Sequence, residues 1–131
     1  MKRLALFCLT GALASPLAVP TLFHEQARAQ RITPMQTDSF ARICSRPTGH
    51  SLCDAYLSGL ADGATLSKLN SSAAGDANAA AAFCVPVSET TASIRGKVLI
   101  WLKAHTDALS HPVGESVFKA LHDTYPCEAK P

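Results

Sequence analysis

Cysteine and histidine are the residue types here with the widest chemistry, and the chain has five of each. Cys44, Cys53, Cys84 and Cys127 form an even set in the body of the sequence, whereas Cys8 sits alone in an apolar N-terminal stretch. An even set of thiols reads as a disulfide framework if the protein is exported, and as metal ligands or reactive groups if it is not. Of His24, His50, His105, His111 and His122, only His50 lies at ligand spacing from a cysteine, three residues before Cys53. One such pair does not complete a tetrahedral zinc site, and no second close pair follows. The haem-attachment sequence, two cysteines separated by two residues and followed by histidine, does not occur.

Covalent catalysis has no better footing. A nucleophilic cysteine needs a thiol kept free and deprotonated, which full pairing of exported cysteines removes. No serine stands in a Gly-x-Ser-x-Gly elbow, and no His-Glu-x-x-His sequence occurs. Asp54 and Asp62, eight residues apart, can share a helical face but read as solvated surface carboxylates. His105 falls on an apolar stripe, where packing or an interhelical hydrogen bond suits it better than general-base work. The residues predict no catalytic centre, no cofactor and no metal, and they make the four cysteines structural.

The elements that must hold those cysteines are helical. From Ser51 to Leu66, Leu52, Tyr56, Leu60 and Ala64 recur every four residues, with Leu57 and Ala61 widening the stripe. Gly59 and Gly63 lie beside it, where small residues would let a neighbouring helix approach. A shorter helix is expected over Asp38 to Cys44, ended by Pro47 and Gly49. The Asn70 to Ala82 stretch is rich in Ser, Ala, Asn and Gly. It reads as an exposed connector, with Asp76 placed to cap a short Ala-rich helix running to Phe83. Ser88 is the expected N-cap of a strong helix carrying Ile94, Val98, Trp101, Leu102 and His105. After His111-Pro112, Val113, Val117, Leu121 and Tyr125 mark one face of a last helix, which Pro126 ends just before Cys127. No segment alternates with period two between hairpin turns. The fold class is therefore all-α, a small disulfide-stabilised bundle of about four helices.

The N-terminus supplies the oxidising compartment that disulfides need. Lys2 and Arg3 precede a mostly apolar run from Leu4 to Phe23, and Ala27-Arg28-Ala29 matches a signal-peptidase site. Residues 1–29 read as a cleaved secretory signal and residues 30–131 as one domain. Pro16 and Pro20 break the run below the roughly 20 apolar residues of a membrane span. No stable membrane anchor is expected after cleavage. Leu6-Phe7 precede Cys8 where a lipoprotein signal needs small residues, so Cys8 leaves with the signal. The whole chain has twelve Lys/Arg and ten Asp/Glu. Lys2, Arg3, Arg28 and Glu25 depart at cleavage, leaving nine of each in the remaining 102 residues. A neutral domain without a basic run carries no footprint for nucleic acid and leaves protein–protein association open.

Four blocks then stand in a familiar order. They are Cys53-Asp54-Ala55-Tyr56-Leu57-Ser58-Gly59-Leu60-Ala61-Asp62-Gly63, Phe83-Cys84-Val85-Pro86, Trp101-Leu102-Lys103-Ala104-His105 and Ala120-Leu121-His122-Asp123-Thr124-Tyr125-Pro126-Cys127. Together, over about Arg42 to Cys127, they resemble the Rap/Tai immunity family, whose members protect bacteria from cell-wall amidases delivered by type VI secretion. Thr106 and Ser110 replace a proline and a histidine common in that family, so the turn before the last helix departs from its pattern. The resemblance implies a helical periplasmic protein, often a homodimer, that binds a peptidoglycan amidase effector and occludes its catalytic cleft.

Contact with that partner is expected from two loops, since loops on rigid scaffolds commonly carry recognition. They are the connector holding Asn70, Ser71, Ser72 and Asp76, and the turn holding Asp107, Ser110 and His111. A general periplasmic stress or chaperone-like binder on the same scaffold is the alternative, and would show a broad apolar surface. Four cysteines allow three pairings. Cys44–Cys53 with Cys84–Cys127 is favoured, because the first clips two helices across the Pro47–Gly49 turn and the second anchors the last helix.

Overall fold

The computed structural model describes residues 33–127. The expected signal peptide, Cys8 and His24 lie outside the described residues. Four α-helices make up the described domain: α1 (Thr37–Cys44), α2 (His50–Ala73), α3 (Thr91–Ala104) and α4 (Val113–Thr124). Short 3-10 turns at Pro47–Gly49 and Thr106–Ser110 join α1 to α2 and α3 to α4. No strand occurs among the described residues, and the all-α expectation holds. None of the described helices is long and apolar enough to cross a membrane.

α1 buries Phe40 and Cys44, one turn apart, and pairs Asp38 with Arg42 along its outer side. The chain ahead of it is tied to the start of α4. Thr37 donates to the His111 carbonyl through both its backbone N–H (3.0 Å) and its Oγ1 (2.8 Å), and the Val113 N–H donates to the Met35 carbonyl (2.9 Å). Gly49 ends the 47–49 turn so close to α1 that a Cβ there would fall on the Ile43 carbonyl oxygen. That close approach lets the chain double back from α1 into α2. It also brings Cys44 against Cys53, bridged with a Cα–Cα distance of 5.6 Å.

The bridge sets the phase of α2. Cys53 and Leu57 are its buried residues, while Leu52, expected inside, is 51% exposed. Tyr56, Leu60, Ala61 and Ala64 are only partly covered, packed against the core edge. The apolar stripe was broad enough to fit either rotation, and the disulfide selects the one that turns residue 53 inward. Gly59 and Gly63 meet no described atom within 4 Å of a built Cβ, so no described helix uses their small size.

α2 also runs past its expected end at Leu66 to Ala73. Nothing before Gly75 stops it. There φ is +96°, the Gly75 N–H donates to the Ser72 carbonyl (3.1 Å), and the Asp76 N–H donates to the Ser71 carbonyl (3.1 Å). This is the Schellman arrangement, for which a left-handed glycine is the favoured closing residue. The short helix expected from Asp76 to Phe83 is not formed. Asp76 Oδ1 accepts from the Asn78 N–H (2.9 Å), spending the capping oxygen on an Asx turn. Residues 77–90 instead form an irregular strap. It is held by the Cys84 N–H donating to the Tyr125 carbonyl (2.8 Å) and by the Cys84–Cys127 bridge, Cα–Cα 4.9 Å. Both favoured disulfides are therefore the ones present.

α3 is capped by Thr90, whose Oγ1 accepts from the Ser93 N–H (3.2 Å), and not by Ser88 two residues earlier. Its buried residues Ile94, Val98, Trp101 and Leu102 meet Val113, Val117, Ala120 and Leu121 of α4, with Phe83 and Tyr125 closing the core. Ser116 shares the inner face of α4, its Oγ donating to the Ala108 carbonyl of the 106–110 turn (2.8 Å). That bond joins the turn to the core without leaving the hydroxyl unmatched.

Candidate functional site

The structure disperses the residues that sequence suggested for chemistry. Cys53 is oxidised, so His50 has no thiolate beside it, and among the described residues no three His, Cys, Asp or Glu side chains gather to hold a metal. His105 caps the end of α3, its Nδ1 donating to the Trp101 carbonyl (2.9 Å) and its ring stacked on Trp101 at 3.9 Å. Of the two roles expected for it, it takes the packing one, and its hydrogen bond stays within its own helix. Asp54 is no solvated carboxylate either, since it pairs with Arg95 and braces α2 against α3. Asp62 is exposed, as expected.

The most elaborate polar cluster lies between α3 and α4. Asp123 Oδ2 accepts from Trp101 Nε1 (3.1 Å) and Lys119 Nζ (3.2 Å), and His122 Nδ1 lies 3.3 Å from Oδ1. The His122 contact, then the Lys119 and Trp101 hydrogen bonds, hold the carboxyl below its ordinary range. Every group in the cluster is satisfied by a neighbour, which suits a clasp between helices.

The expected contact residues fall on two separate surfaces. Asn70, Ser71 and Ser72 belong to the last turn of α2 and not to a loop, with Asp76 just beyond the Gly75 stop. Ser71 and Asp76 line a cleft of about 330 Å³ between α2, the strap and Phe118. Asp107 and Ser110 lie in the 106–110 turn, and His111 follows it. Ser110 lines a depression of about 450 Å³ with Gln36, Asp38, Thr106 and Leu109. α2 and the 106–110 turn do not adjoin, so the two groups do not form one continuous site.

Beside the second surface is a deeper groove of about 400 Å³ between α1, the end of α3 and the 106–110 turn. It shares Asp38 and Leu109 with the neighbouring depression. Sequence did not single it out, because its walls come from residues 38–46, 99–103 and 109. One signal was available. Val98 to Leu102 is an unbroken apolar run, too wide for a single face of a helix, and it leaves Leu99 half-buried against the groove.

A third feature is the outer face of α2. Leu52, Ala55, Gly59, Asp62, Leu66 and Leu69 are all exposed and alternate at spacings of three and four. That is the seam pattern of a helix that packs against another, and among the described residues no element covers it.

The chain matches the family model of Rap1a immunity proteins over residues 36–127. It belongs to that family. The matched span runs from the residue before α1 to Cys127 and takes in every described helix and both disulfides. No curated protein and no solved structure matches the chain. For an immunity protein, which works by binding a cognate effector, the relevant chemistry is that of its surfaces.

Proposed function

We propose that this immunity protein works in the periplasm, where it binds a peptidoglycan amidase effector of type VI secretion and blocks its active site. The observation that carries this is the family match across the entire described fold. Two disulfides support an oxidising compartment. The amidase target follows from the resemblance of the four sequence blocks to immunity proteins directed against such enzymes. Helices locked by two bridges present a surface with little ordering cost, which is what a stoichiometric inhibitor requires. The turn bearing Asp107, Ser110 and His111 is the surface we assign to the effector, since it borders both the depression and the groove.

A homodimer is part of this proposal, and the α2 seam supports it. If two α2 helices pack antiparallel, Leu69 falls opposite Leu52 of the second copy, Leu66 opposite Ala55, and Asp62 opposite Gly59. Leu66 meets the smaller Ala55 and Asp62 meets Gly59, the two leucines pair at the ends, and the two-fold axis satisfies both copies at once. The seam is one helix wide, which gives a chaperone-like binder no broad apolar surface.

Co-purification with the product of the neighbouring gene, followed by peptidoglycan hydrolysis with and without the immunity protein, tests the function. Inhibition at one-to-one stoichiometry is expected. An amidase that stays active under saturating immunity protein would refute it. Sedimentation of the Leu66→Glu variant tests the dimer: the wild-type chain should sediment as a dimer and the variant as a folded monomer.

A further inference from the structure

We infer that the groove between α1, α3 and the 106–110 turn is the docking slot for a projecting acidic segment of the effector, anchored by one apolar side chain. This rests on the immunity reading and adds to it the chemistry of what is bound.

The floor of the groove is apolar. Leu102 is buried, and Ala41, Leu99 and Leu109 present partly covered surfaces to the opening. The rim is cationic, with Arg42, Arg46 and Lys103 around it and Asp38 as the one lining carboxylate. Asp38 is already engaged by Arg42 at 2.5 Å, and Ser39 Oγ accepts from the same guanidinium. Arg46 and Lys103 have no described carboxylate within ion-pair distance, whereas Arg95, Lys97 and Lys119 each have one. Lys68, on α2, is the other described cation without a partner. On a domain of no net charge, uncompensated positive charge is thus concentrated beside one apolar slot. The complementary ligand is an apolar group flanked by carboxylates.

Shape points to a chain segment. A volume of about 400 Å³ is near the lower end of the roughly 300–1,000 Å³ typical of ligand sites. It admits one or two side chains and not a helix. The groove continues past Asp38 and Leu109 into the shallower depression that reaches Gln36 and Ser110. An extended backbone can follow that path, its apolar residue over Leu99 and Leu109 and its acidic residues at Arg46 and Lys103.

Binding of the oxidised protein to its purified effector tests this, using three variants whose helicity and melting temperature match the wild type. Arg46→Glu combined with Lys103→Glu reverses the two free rim charges. It should weaken binding at least about tenfold and remove most of the loss of affinity that wild type shows as salt is raised. Ser45→Trp fills the groove from an exposed lining position without changing charge, and should weaken binding by a similar factor. Lys68→Glu, away from the groove, should leave affinity unchanged. If wild type binds and the rim and groove variants bind equally well, the groove assignment is overturned while the immunity role stands. Equal weakening by Lys68→Glu would reduce the effect to overall charge and also overturn it. If wild type fails to bind, the immunity role fails, and the assigned occupant with it.

Discussion

Removing the Cys84–Cys127 bridge should cost this domain a large part of its stability. The bridge links residues 43 apart and so closes a loop holding α3, the 106–110 turn and α4. In the chain-entropy account, closing a loop of that length restricts the unfolded chain by about 4 kcal/mol, against about 2.7 kcal/mol for the nine-residue separation of Cys44 and Cys53. Cys84 is exposed and Cys127 half-buried, so replacing both by alanine removes little packing and isolates the cross-link. A net stability of about 5–15 kcal/mol is usual for a domain. The Cys84→Ala/Cys127→Ala variant should therefore be marginal, melting about 15–30 °C lower. Urea unfolding followed by circular dichroism measures the loss directly. The slope should also rise, because an unfolded chain freed of the bridge exposes more surface. A loss below about 1 kcal/mol with an unchanged slope would mean the bridge does not restrict the unfolded ensemble, against the loop-closure account.

Gly49→Ala should destabilise by about 1–3 kcal/mol, the usual cost of forcing atoms into filled space, because its Cβ would collide with the Ile43 carbonyl. Thermal melts of the two proteins measure this. Ser116→Ala removes one of the two donors to the Ala108 carbonyl, which keeps the His111 N–H, and should cost about 0.5–1.5 kcal/mol in urea unfolding, the net worth of one hydrogen bond. Asp123 has a folded-state pKa below its ordinary value of 3.8, so its contribution is present above that value and is lost as pH falls through the lowered one. Asp38 and Glu89 are lowered too, mainly by hydrogen bonds from Arg42 and from Ser93 respectively. Stability should fall below about pH 4, and Asp123→Asn should make that fall shallower in melts across pH 2–6.

Much of the scaffold was legible because its signals are local. Proline and glycine at 47–49 ended the first helix, the three-and-four spacing from Ile94 to Leu102 marked α3, and Pro126 closed α4. The misses share a cause. The apolar stripe of α2 runs out at Leu66, yet the mostly polar Ser67 to Ala73 continue the helix, and the stop is the backbone of Gly75. Asp76 is a good capping residue whose expected helix does not form, and Ser88 lies two residues ahead of Thr90, which caps α3 in its place. The stripe on α2 allows two rotations, and only one of them would bury Leu52. The seam residues and the groove were harder still. An exposed leucine cannot be told from a buried one by spacing alone, and the groove draws its walls from three chain segments.

The sequence by itself determined the helical class, the approximate bounds of α1, α3 and α4, and the preferred cysteine pairing, since these depend on residues near one another in the chain. The blocks around the cysteines also carried the family. Tertiary structure alone decided which face of α2 points inward, which helix His105 bonds to, and that Asp54 is an ion-paired brace. It also separated the expected contact residues into two surfaces and assembled the apolar, cation-rimmed groove. The physical reason is common to all of these. Periodicity and capping report how a chain bonds to itself over one or two turns, whereas exposure, charge pairing and cavities depend on which distant segments the fold brings together.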